Sequence, residues 1–488
     1  MNTIIQQVIE NALSEFQKFY QSSNVFDICN NTAPLVKIAN DIVLGLVKAT
    51  AESIDRKIYE DKKTRKDQGL TVQQRNVNRT VALSIGTIEI ERTSYYCKNK
   101  DAYVYPVDSI IGLESRERIS KELAAELINN AVTSSYQHSC DEIDAVQISR
   151  QTVKNKLCEL GEIVFEPGEQ KKKVEHINIY ADEAHASVHN ESKKSKKKIV
   201  PLVVVSEGKV TSGKRTSLIS PIAFQGFNMK PRDFWEGICA VLRREYDMDR
   251  IKSITMHSDA GGWIMSAKDI LPNAEFVMDE FHIEKHFKQI CAGYVGKAYA
   301  NKLMFAIESG DYGIFCNVTD GMLRDVPNYE KTLPAIHKRT KYLKEEITYF
   351  KNNWDSIQKR ISHIETGSCT EAMVSHIFAE RLSRNPMSWS ELGISKMAML
   401  RVGKKNGIKV TAKDIGKGRV KETKADKNGI RRRPMSLPAE YVEKYMNYYR
   451  DEVAEIFNGK YDWSIFESKS SYCSELPGTR SLLKVIND

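Results

Sequence analysis

The chain has 488 residues, of which 41% are hydrophobic and 28% are charged, a composition typical of a soluble globular protein with more than one core. Its formal net charge of +9 fits a polyanionic partner but is also common among unrelated proteins. No apolar run approaches the ~20 residues of a membrane span, and the nine cysteines form no Cys-x-x-Cys pair, so we expect neither export nor a zinc ribbon nor a disulfide framework.

The N-terminal part of the chain changes from a helical to a strand-like pattern. Apolar residues recur every three or four positions in residues 1–65, and a second helix is predicted near Ala39–Tyr59. Residues 66–112 follow a period of two, and Gly86-Thr87 is predicted to turn a β-hairpin between two alternating runs. A tyrosine-rich stretch then extends this small β region.

Residues 113–165 return to the helical period and contain a candidate DNA-reading element. Two short helices are predicted, Tyr136–Asp144 and Ser149–Leu157, with Ser149 as the N-cap of the second. Two interpretations stand: a helix-turn-helix that reads DNA ends, or an ordinary pair of core-packing helices. In the first interpretation the exposed face of the second helix presents Arg150, Gln151 and Lys154 to DNA.

Residues 172–294 begin with two predicted strands, His176–Val188 and Ile199–Val205. The lysine run Lys193–Lys198 between them is interpreted as a solvated hairpin tip, although lysines there could also hold phosphates. An early hairpin with an acidic residue on its first strand is what an RNase H-like α/β core requires. The sequence therefore favours such a core in this part of the chain.

Three acidic residues stand in contexts that suit metal-dependent phosphoryl transfer: Asp182, Asp259 and Glu371. Asp182 lies in a strand-like run, Asp259 closes another, and Glu371 opens a helix. Their spacings, 259 − 182 = 77 and 371 − 259 = 112, suit a core whose last helix is delayed by an insertion. Carboxylates converging from two strands and a helix can hold two divalent ions, and hard Mg²⁺ prefers such oxygen ligands.

Each acid also has a structural interpretation. Glu183 adjoins Asp182, and strand alternation allows only one of the two to face a site. Asp259 precedes Ala-Gly-Gly and could form a turn. Glu371 follows Ser368 by three residues, the spacing of a capping box, yet it also shares a helical face with apolar residues and is predicted to point inward with them.

A further polar pair, Asp279 and His282, is predicted near the mouth of the site. An acid three residues before a histidine can lie on one side of a helical turn, where the pair would orient DNA or the metal ligands. His282 and His286 alone are too few for a zinc site. No phosphate-binding loop and no dinucleotide fingerprint is present, so no nucleotide cofactor is expected.

The remainder of the chain is predicted to be largely helical. Residues 295–361 read as an all-helical insertion, with Trp354 on an apolar stripe that belongs to a core. The final helix of the split α/β core is expected in residues 362–402. Residues 403–488 hold a mobile basic segment without an apolar period, followed by a helix over Tyr441–Phe457.

These stretches together resemble the ISLre-type transposases of bacterial insertion sequences, within the Mutator-like DDE superfamily. The Asp279-x-x-His282 pair is similar to the acid-or-Cys-x-x-His signature between the second and third catalytic acids of Mutator-like enzymes. The resemblance covers roughly residues 75–400, and the order and spacing of its motifs make it specific. The matching stretches are Arg79–Tyr96, Tyr180–His185, His257–Ile264, Asp279–Lys285 and Gly367–Ser390.

The resemblance implies an RNase H-like core that carries Asp182, Asp259 and Glu371 as a DDE triad with Mg²⁺ or Mn²⁺. It implies double-stranded DNA as the partner, both the element's own ends and the target, and a homodimer or higher oligomer near the bacterial nucleoid. No membrane partner is implied. N-terminal helical and β elements would recognise the ends, and the residues expected to contact DNA phosphates are Arg381, Arg384, Arg431, Arg432 and Arg433.

Two departures leave alternatives open. The second motif reads Asp259-Ala-Gly-Gly where Asp-Gly-Ala-Gly is expected, which could alter the turn beside the acid. Glu365 and Glu380 are nearby rivals of Glu371, and Glu183 is a rival of Asp182. The functional alternatives are a metal-dependent nuclease of the same fold that does not join DNA, and a DNA-binding relative that has lost turnover.

Overall fold

The computed structural model describes residues 2–22, 32–99, 101–189, 195–213, 215–362, 369–384, 388–418 and 443. The chain divides into two compact units. The first comprises residues 1–123, 143–147 and 421–488, and the second comprises residues 124–142 and 148–420. The basic segment beyond residue 418 and the predicted Tyr441–Phe457 helix lie, except for Glu443, outside the described residues.

The first unit packs helices against a small antiparallel sheet of strand order β1-β2-β3. Its core joins one face of the second helix to alternate residues of the hairpin, including Ile54, Val81 and Ile90. Within the described residues, this unit holds helices followed by strands. The elements are α1 Asn2–Ser22, α2 Ala33–Glu60, α3 Lys62–Asp67, β1 Leu70–Leu83, β2 Gly86–Cys97, β3 Ala102–Val104 and α4 Pro106–Ile110.

The turn of the hairpin lies two residues before the predicted position. Ser84 and Ile85 form the loop, and Leu83 pairs with Gly86 as the last pair of the ladder. Gly86 adopts φ +153°, a conformation that side chains rarely allow, so the glycine is needed at the start of β2 rather than in the loop. The prediction of Gly86-Thr87 as the turn was therefore wrong, although the hairpin itself is present.

The boundary between the two units falls within the helix α5, after residue 123. The second unit begins with helices and continues into a mixed five-stranded sheet. The sheet has the strand order β10-β9-β4-β5-β8, in which β4, β9 and β10 are parallel and β5 is antiparallel to both of its neighbours. The elements are α5 Lys121–Ala131, α6 Tyr136–Asp141, α7 Arg150–Cys158, β4 His176–His189, β5 Ser195–Ser206, β8 Ile222–Gln225, β9 Ser253–Ser258 and β10 Ala274–Met278.

Two features of this part of the chain depart from the sequence-based expectation. Lys196, Lys197 and Lys198 lie within β5 and pair with β4, so the lysine run is not confined to a hairpin tip; Lys193 and Lys194 lie outside the described residues. A second hairpin, β6 Gly208–Ser212 with β7 Arg215–Ile219, was not anticipated. These strands are short and polar, and they give little periodic signal.

One face of the sheet is covered by α8 Pro231–Glu245 and the short helix α9 Gly262–Met265. Trp235 and Leu242 of α8 are fully buried against Ile179, Ala181 and Met256 of the sheet. Because side chains alternate along a strand, the residues next to these three along β4 and β9 project from the opposite face of the sheet. That opposite face carries the acidic residues described below.

The chain between β10 and the last helices forms a helical region with its own core, as predicted for residues 295–361. Its apolar core joins Leu303, Phe315, Leu343 and Phe350, and Trp354 packs against it as a core residue. The helices are α10 Glu280–Ile290, α11 Gly293–Glu308, α12 Tyr312–Tyr329, α13 Leu333–Asn352 and α14 Trp354–Ser362.

The final elements are a broken helix and a longer one. The broken helix runs through α15 Thr370–Val374, a π-helical turn Ser375–Ala379 and α16 Glu380–Leu382. The longer helix is α17 Glu391–Lys405. Both α15 and α17 contact β4, on which the first acid lies. Within the described residues, no helix combines the length and apolarity that a membrane crossing requires.

Candidate functional site

Strand register alone lines up three carboxylates. Ala181 of β4 pairs with Ser258 of β9, and Ser258 pairs in turn with Met278 of β10. The three strands are parallel and neighbouring strands lie about 4.8 Å apart. The residue that follows each of these positions is an aspartate, so one row across the sheet holds Asp182, Asp259 and Asp279.

Two of these acids and a histidine lie close enough together to bind one metal ion. The candidate ligand atoms of Asp182, Asp259 and His282 all lie within 4.8 Å of one another. Asp182 is buried, whereas Asp259 and His282 are half-buried, so the group opens to solvent on one side. Residues 182, 259 and 282, far apart in sequence, therefore form one cluster, as the sequence predicted for the two acids.

The electrostatics of the cluster favour a bound cation. Burial, and after it the charges of Asp259, Glu371 and Asp279, raise the pKa of Asp182 from 3.8 to about 7, although a hydrogen bond from the Glu183 backbone N–H acts in the opposite direction. Asp182 is therefore close enough to three other carboxyl groups to be repelled by them. A divalent ion would remove this repulsion, and carboxylate oxygens are its preferred ligands. The residues present thus fit an oxygen-seeking divalent ion.

Asp182 and Glu183 point to opposite faces of the sheet, as alternation along β4 requires. The Glu183 carboxylate turns to the other face of the sheet, where its Oε2 accepts a 2.5 Å hydrogen bond from Trp263 Nε1. Trp263 stacks on Trp235 with ring centres 6.1 Å apart. Glu183 thus anchors the packing beneath the site, and Asp182 is the strand residue that faces it.

The loop after β9 fixes Asp259 in an Asx turn. Its Oδ1 accepts a 2.9 Å hydrogen bond from the Gly261 backbone N–H. Ala260 between them adopts φ +61°, in the left-handed region that favours glycine. The departure from the expected Asp-Gly-Ala-Gly order thus places alanine in a strained conformation beside the acid. Such strain is found where the surrounding structure holds a site in place.

Asp279 and His282 have different roles in one helical turn. Asp279 is 1% exposed and is the N-cap of α10, where its Oδ1 accepts a 2.9 Å hydrogen bond from the Phe281 backbone N–H. His282 follows in the first turn of that helix and lies in the cluster. The Asp-x-x-His spacing therefore works as a helix start that presents an imidazole to the acids.

Glu371 lies near the cluster but outside its closest group. It is in the first turn of α15, which packs on β4, and its charge raises the pKa of Asp182. Its side chain is exposed, whereas Val374 and Phe378 are buried, so the prediction that Glu371 points inward with them was wrong. The structure places the N-cap at Cys369, without a side-chain hydrogen bond, and the expected cap Ser368 lies outside the described residues.

A buried arginine that the sequence did not reveal holds the helix of Glu371. Arg401 of α17 is 6% exposed, and its Nε donates a 2.6 Å hydrogen bond to the Ile377 carbonyl. Its guanidinium also donates to the carbonyls of His376 and Val132. A π-helical turn shifts backbone pairing by one residue, and such turns are frequent at functional sites. Arg401 satisfies carbonyl groups in this turn.

Of the two rivals of Glu371, Glu365 and Glu380, the structure describes only Glu380. Glu380 accepts a 2.9 Å hydrogen bond from Arg401 Nη2, and this bond, with the positive charge behind it, lowers the pKa of Glu380. Glu380 is therefore engaged by the arginine of the π-helical turn. Glu365 lies outside the described residues.

The arginines expected to contact phosphates fall into three groups. Arg381 is 4% exposed; its Nε donates to the Ala131 carbonyl at 3.0 Å, and its guanidinium lies over the rings of Tyr136 and Trp389. A guanidinium enclosed in this way cannot meet DNA, so that expectation is corrected. Arg384 is exposed and donates to Ser375 Oγ. The arginines at 431–433 lie outside the described residues.

Two further residues beside the acids carried no sequence signal. Lys209 of β6 lies over the Tyr180 ring at 5.5 Å; burial lowers its pKa, and the charges of Cys369 and Asp279 act in the opposite direction. Tyr349 of α13 donates to Met278 Sδ at 3.3 Å, and burial, then the charges of Asp259 and Asp279, raise its pKa. Both side chains come from elements whose position only the tertiary structure reveals.

The predicted helix pair is present as α6 and α7. Ser149 caps α7 by accepting a hydrogen bond from the Thr152 backbone N–H, as predicted, and Val153 and Leu157 face the interior. The three residues proposed to read DNA are all exposed, and Gln151 also donates to Asn155 Oδ1 at 2.8 Å. Their exposure is compatible with both interpretations. The exposed residues are Arg150, Gln151 and Lys154.

Replacing Arg150 with alanine tests whether α7 contacts DNA. If it does, we expect affinity for end DNA to fall several-fold and the salt dependence of log Kd to weaken by about one phosphate contact. Arg244→Ala on α8, an exposed arginine outside this helix pair, is the matched control and should change neither quantity. Fluorescence anisotropy over a salt series is the measurement, and equal curves for Arg150→Ala and wild type would assign α7 to packing alone.

Comparisons with known proteins place the chain among bacterial relatives. Residues 21–419 match the family described as Uncharacterised protein family (UPF0236). A UPF0236 protein of Caldanaerobacter subterraneus subsp. tengcongensis, whose name carries eleven locus designations, is 29% identical over 417 residues, 84% of this chain and 86% of the relative. Another from that bacterium is 30% identical over 394 residues, 80% and 81% of the two chains. The UPF0236 protein in the vanSb 3′ region of Streptococcus gallolyticus is 20% identical over 399 residues, 77% and 82%.

Proposed function

The chain belongs to the UPF0236 family, and we propose, from the arrangement of its carboxylates, that it is a DNA transposase of the DDE type. It would bind the ends of its own mobile element, cut to expose a 3′-hydroxyl and join that hydroxyl to target DNA. The observation that carries this proposal is the row of acids across β4, β9 and β10, with Glu371 approaching from a helix.

The strand order supports the proposal at the level of fold. An antiparallel β4-β5-β8 meander followed by parallel β9 and β10 on the other side of β4 is the arrangement expected of an RNase H-like core. The helical region between β10 and α15 would then be an insertion that delays the helix of the third acid. Fold alone does not define an activity, so the acids and not the sheet carry the functional argument.

The names of the relatives supply an independent argument for mobility. One relative's name carries eleven locus designations, another's four and a third's two, all in Caldanaerobacter subterraneus subsp. tengcongensis. One protein specified at many loci of a genome is what an element that copies or moves itself would leave behind. A housekeeping nuclease has no reason to accumulate in this way.

The chemistry follows from the positions of the acids. Divalent ions held by Asp182, Asp259 and Glu371 would neutralise the charge that develops on the phosphate and activate the attacking water or hydroxyl. Asp182 belongs to the closest group and also interacts electrostatically with Glu371, so its carboxylate is suited to serve both ions. With a pKa of about 7, it would also release a proton when a cation binds at neutral pH.

The proposal is tested with the purified full-length protein, Mg²⁺ or Mn²⁺, and labelled duplexes that span both flanks of its coding region. We expect a nick at one defined phosphate and joined products with a second duplex. In Asp259→Asn, loss of a ligand should reduce nicking at least ~100-fold, because metal assistance is worth several kcal/mol, while DNA binding persists. Asp249→Asn, the same change at an exposed acid outside the site, should cut like wild type.

The possible results separate the functions. A nick without joined products would favour a metal-dependent nuclease. Binding without a nick, under either ion, would favour a DNA-binding relative that has lost turnover. Undiminished joining by Asp259→Asn would refute the assignment of the triad.

A further inference from the structure

His282 lies close enough to two of the acids to bind the same metal ion. Its ligand atom lies within 4.8 Å of carboxylate oxygens of both Asp182 and Asp259. Opposite ligands of one octahedral ion are about 4.2 Å apart when each bond is ~2.1 Å. At most one of the three pairs can be opposite, and adjacent ligands of such an ion are about 3.0 Å apart. Each of the three side chains therefore needs to move by at most about an ångström to bind one ion together.

The backbone holds the imidazole in that position. Asp279 caps α10, and the backbone N–H groups of His282 and Ile283 donate to the Asp279 carbonyl at 3.1 Å. Asp279 in turn follows β10 directly, and its N–H donates to the Ser258 carbonyl at 2.9 Å. His282 is thus tied to the same strand end that carries Asp259, by a rigid helix start rather than by a loop.

The second histidine of the helix has a different environment. His286 lies one turn further along α10, where its Nδ1 is 2.7 Å from Glu346 Oε2 and its ring stacks on Tyr349 at 3.7 Å. It does not belong to the close group formed with Asp182 and Asp259. The two histidines therefore provide a ligand candidate and a matched control on one helix.

We propose that His282 is a direct ligand of the divalent ion held by Asp182 and Asp259, and that it biases this site toward Mn²⁺ over Mg²⁺. The proposal rests on the proposed function, and it names the protein ligands of one of the two metal positions. Mg²⁺ is hard and prefers oxygen ligands, whereas an imidazole nitrogen suits first-row transition ions. Like Mg²⁺, Mn²⁺ suits carboxylate ligands, but as a first-row transition ion it accepts an imidazole nitrogen more readily.

This assignment also separates the two ions of the site. Glu371 raises the pKa of Asp182 but is not in the close group, so it would complete the other position with oxygen ligands. Asp182 would be shared. The nitrogen-containing position and the all-oxygen position would then differ in their preference for Mn²⁺ and Mg²⁺, and only the first should depend on His282.

The test uses the full-length protein and Mn²⁺ alone, without DNA. Pulsed electron paramagnetic resonance of bound Mn²⁺ reports a directly coordinated imidazole nitrogen, and titration gives the affinity. We expect the nitrogen coupling in wild type and in His286→Gln. In His282→Gln the coupling should be absent, and the affinity of the tighter Mn²⁺ position should fall at least ~10-fold, the scale on which altered ligation weakens metal sites.

A second variant guards against simple misfolding. His282→Asp replaces the nitrogen with a carboxylate oxygen, so it should bind Mg²⁺ more tightly than wild type while the ratio of Mn²⁺ to Mg²⁺ affinity falls. A ratio unchanged from wild type would overturn the proposal. Thermal unfolding of each variant in the presence of EDTA shows whether the fold is retained.

The failures of the two proposals are distinguishable. Mn²⁺ that binds without nitrogen coupling would overturn the role of His282 and leave the carboxylate site of the proposed function intact. No binding of Mn²⁺ or Mg²⁺ at millimolar concentration would overturn both. Nitrogen coupling that persists in His282→Gln and disappears in His286→Gln would identify His286 as the ligand and refute the proposal.

Discussion

Asp182→Asn is expected to abolish DNA cleavage and yet to stabilise the metal-free protein at neutral and alkaline pH. Asp182 interacts electrostatically with Asp259, Glu371 and Asp279. Its loss should therefore impair both metal positions. We expect cleavage to fall to the background of the assay, a larger effect than for Asp259→Asn. Stability rises because asparagine carries no charge among the remaining carboxylates.

The sign of the pH dependence follows from the direction of the shift. The pKa of Asp182 is about 7 in the folded protein and 3.8 for an unperturbed carboxyl, so the folded state binds this proton more tightly. The contribution of this proton to the free energy of unfolding is complete below about pH 4 and is lost as pH rises through about 7. A shift of three units corresponds to at most about 4 kcal/mol.

The measurement is the melting temperature of metal-free protein between pH 4 and pH 8. Asp182→Asn should melt several degrees above wild type at pH 8 and at nearly the same temperature at pH 4. Saturating Mn²⁺ should reverse the order at pH 8, because an ion stabilises only the protein that binds it. Asp249→Asn should match wild type throughout, and a gain for Asp182→Asn that is equal at both pH values would refute the electrostatic explanation.

Arg401→Leu is expected to destabilise the second unit by about 3 kcal/mol or more, because each buried acceptor left without a hydrogen bond costs about 1–3 kcal/mol. Leucine cannot donate to the Ile377, His376 and Val132 carbonyls, which would then be buried without these hydrogen bonds. Because those carbonyls belong to or flank the π-helical turn after Glu371, cleavage should also fall. The midpoint of urea unfolding and the nicking rate are the two measurements.

Two conservative variants separate the contributions of Arg401. Arg401→Lys keeps the charge but not the planar fork of donors, so its loss of stability should be intermediate. Glu380→Gln removes only the exposed partner of the ion pair and should change stability by less than about 1 kcal/mol. If Arg401→Leu unfolds at the wild-type midpoint, the π-helical turn does not depend on this arginine.

The sequence by itself predicted most of the strands and helices and singled out two acids that the structure brings together. Long runs of period two and of period three to four were enough to predict β4, β5, β9, β10 and the helical region, since one buried face imposes that repeat on the sequence. Asp182 and Asp259 were predicted to meet because each follows or interrupts a strand-like run. The Ser149 cap was predicted correctly because a cap is a local interaction.

Tertiary structure decided everything that depends on which residues face each other. The sequence predicted Asp279 and His282 near the mouth of the site, but only strand register showed that Asp279 lies in one row with the other acids, and only the start of α10 brought His282 into the close group. Arg381 was expected to contact DNA phosphates, and nothing in the sequence singled out Arg401. Both are buried, and carbonyl groups distant in sequence accept their hydrogen bonds. Periodicity records which face of an element is buried, and the partner that covers it is set only when the chain folds.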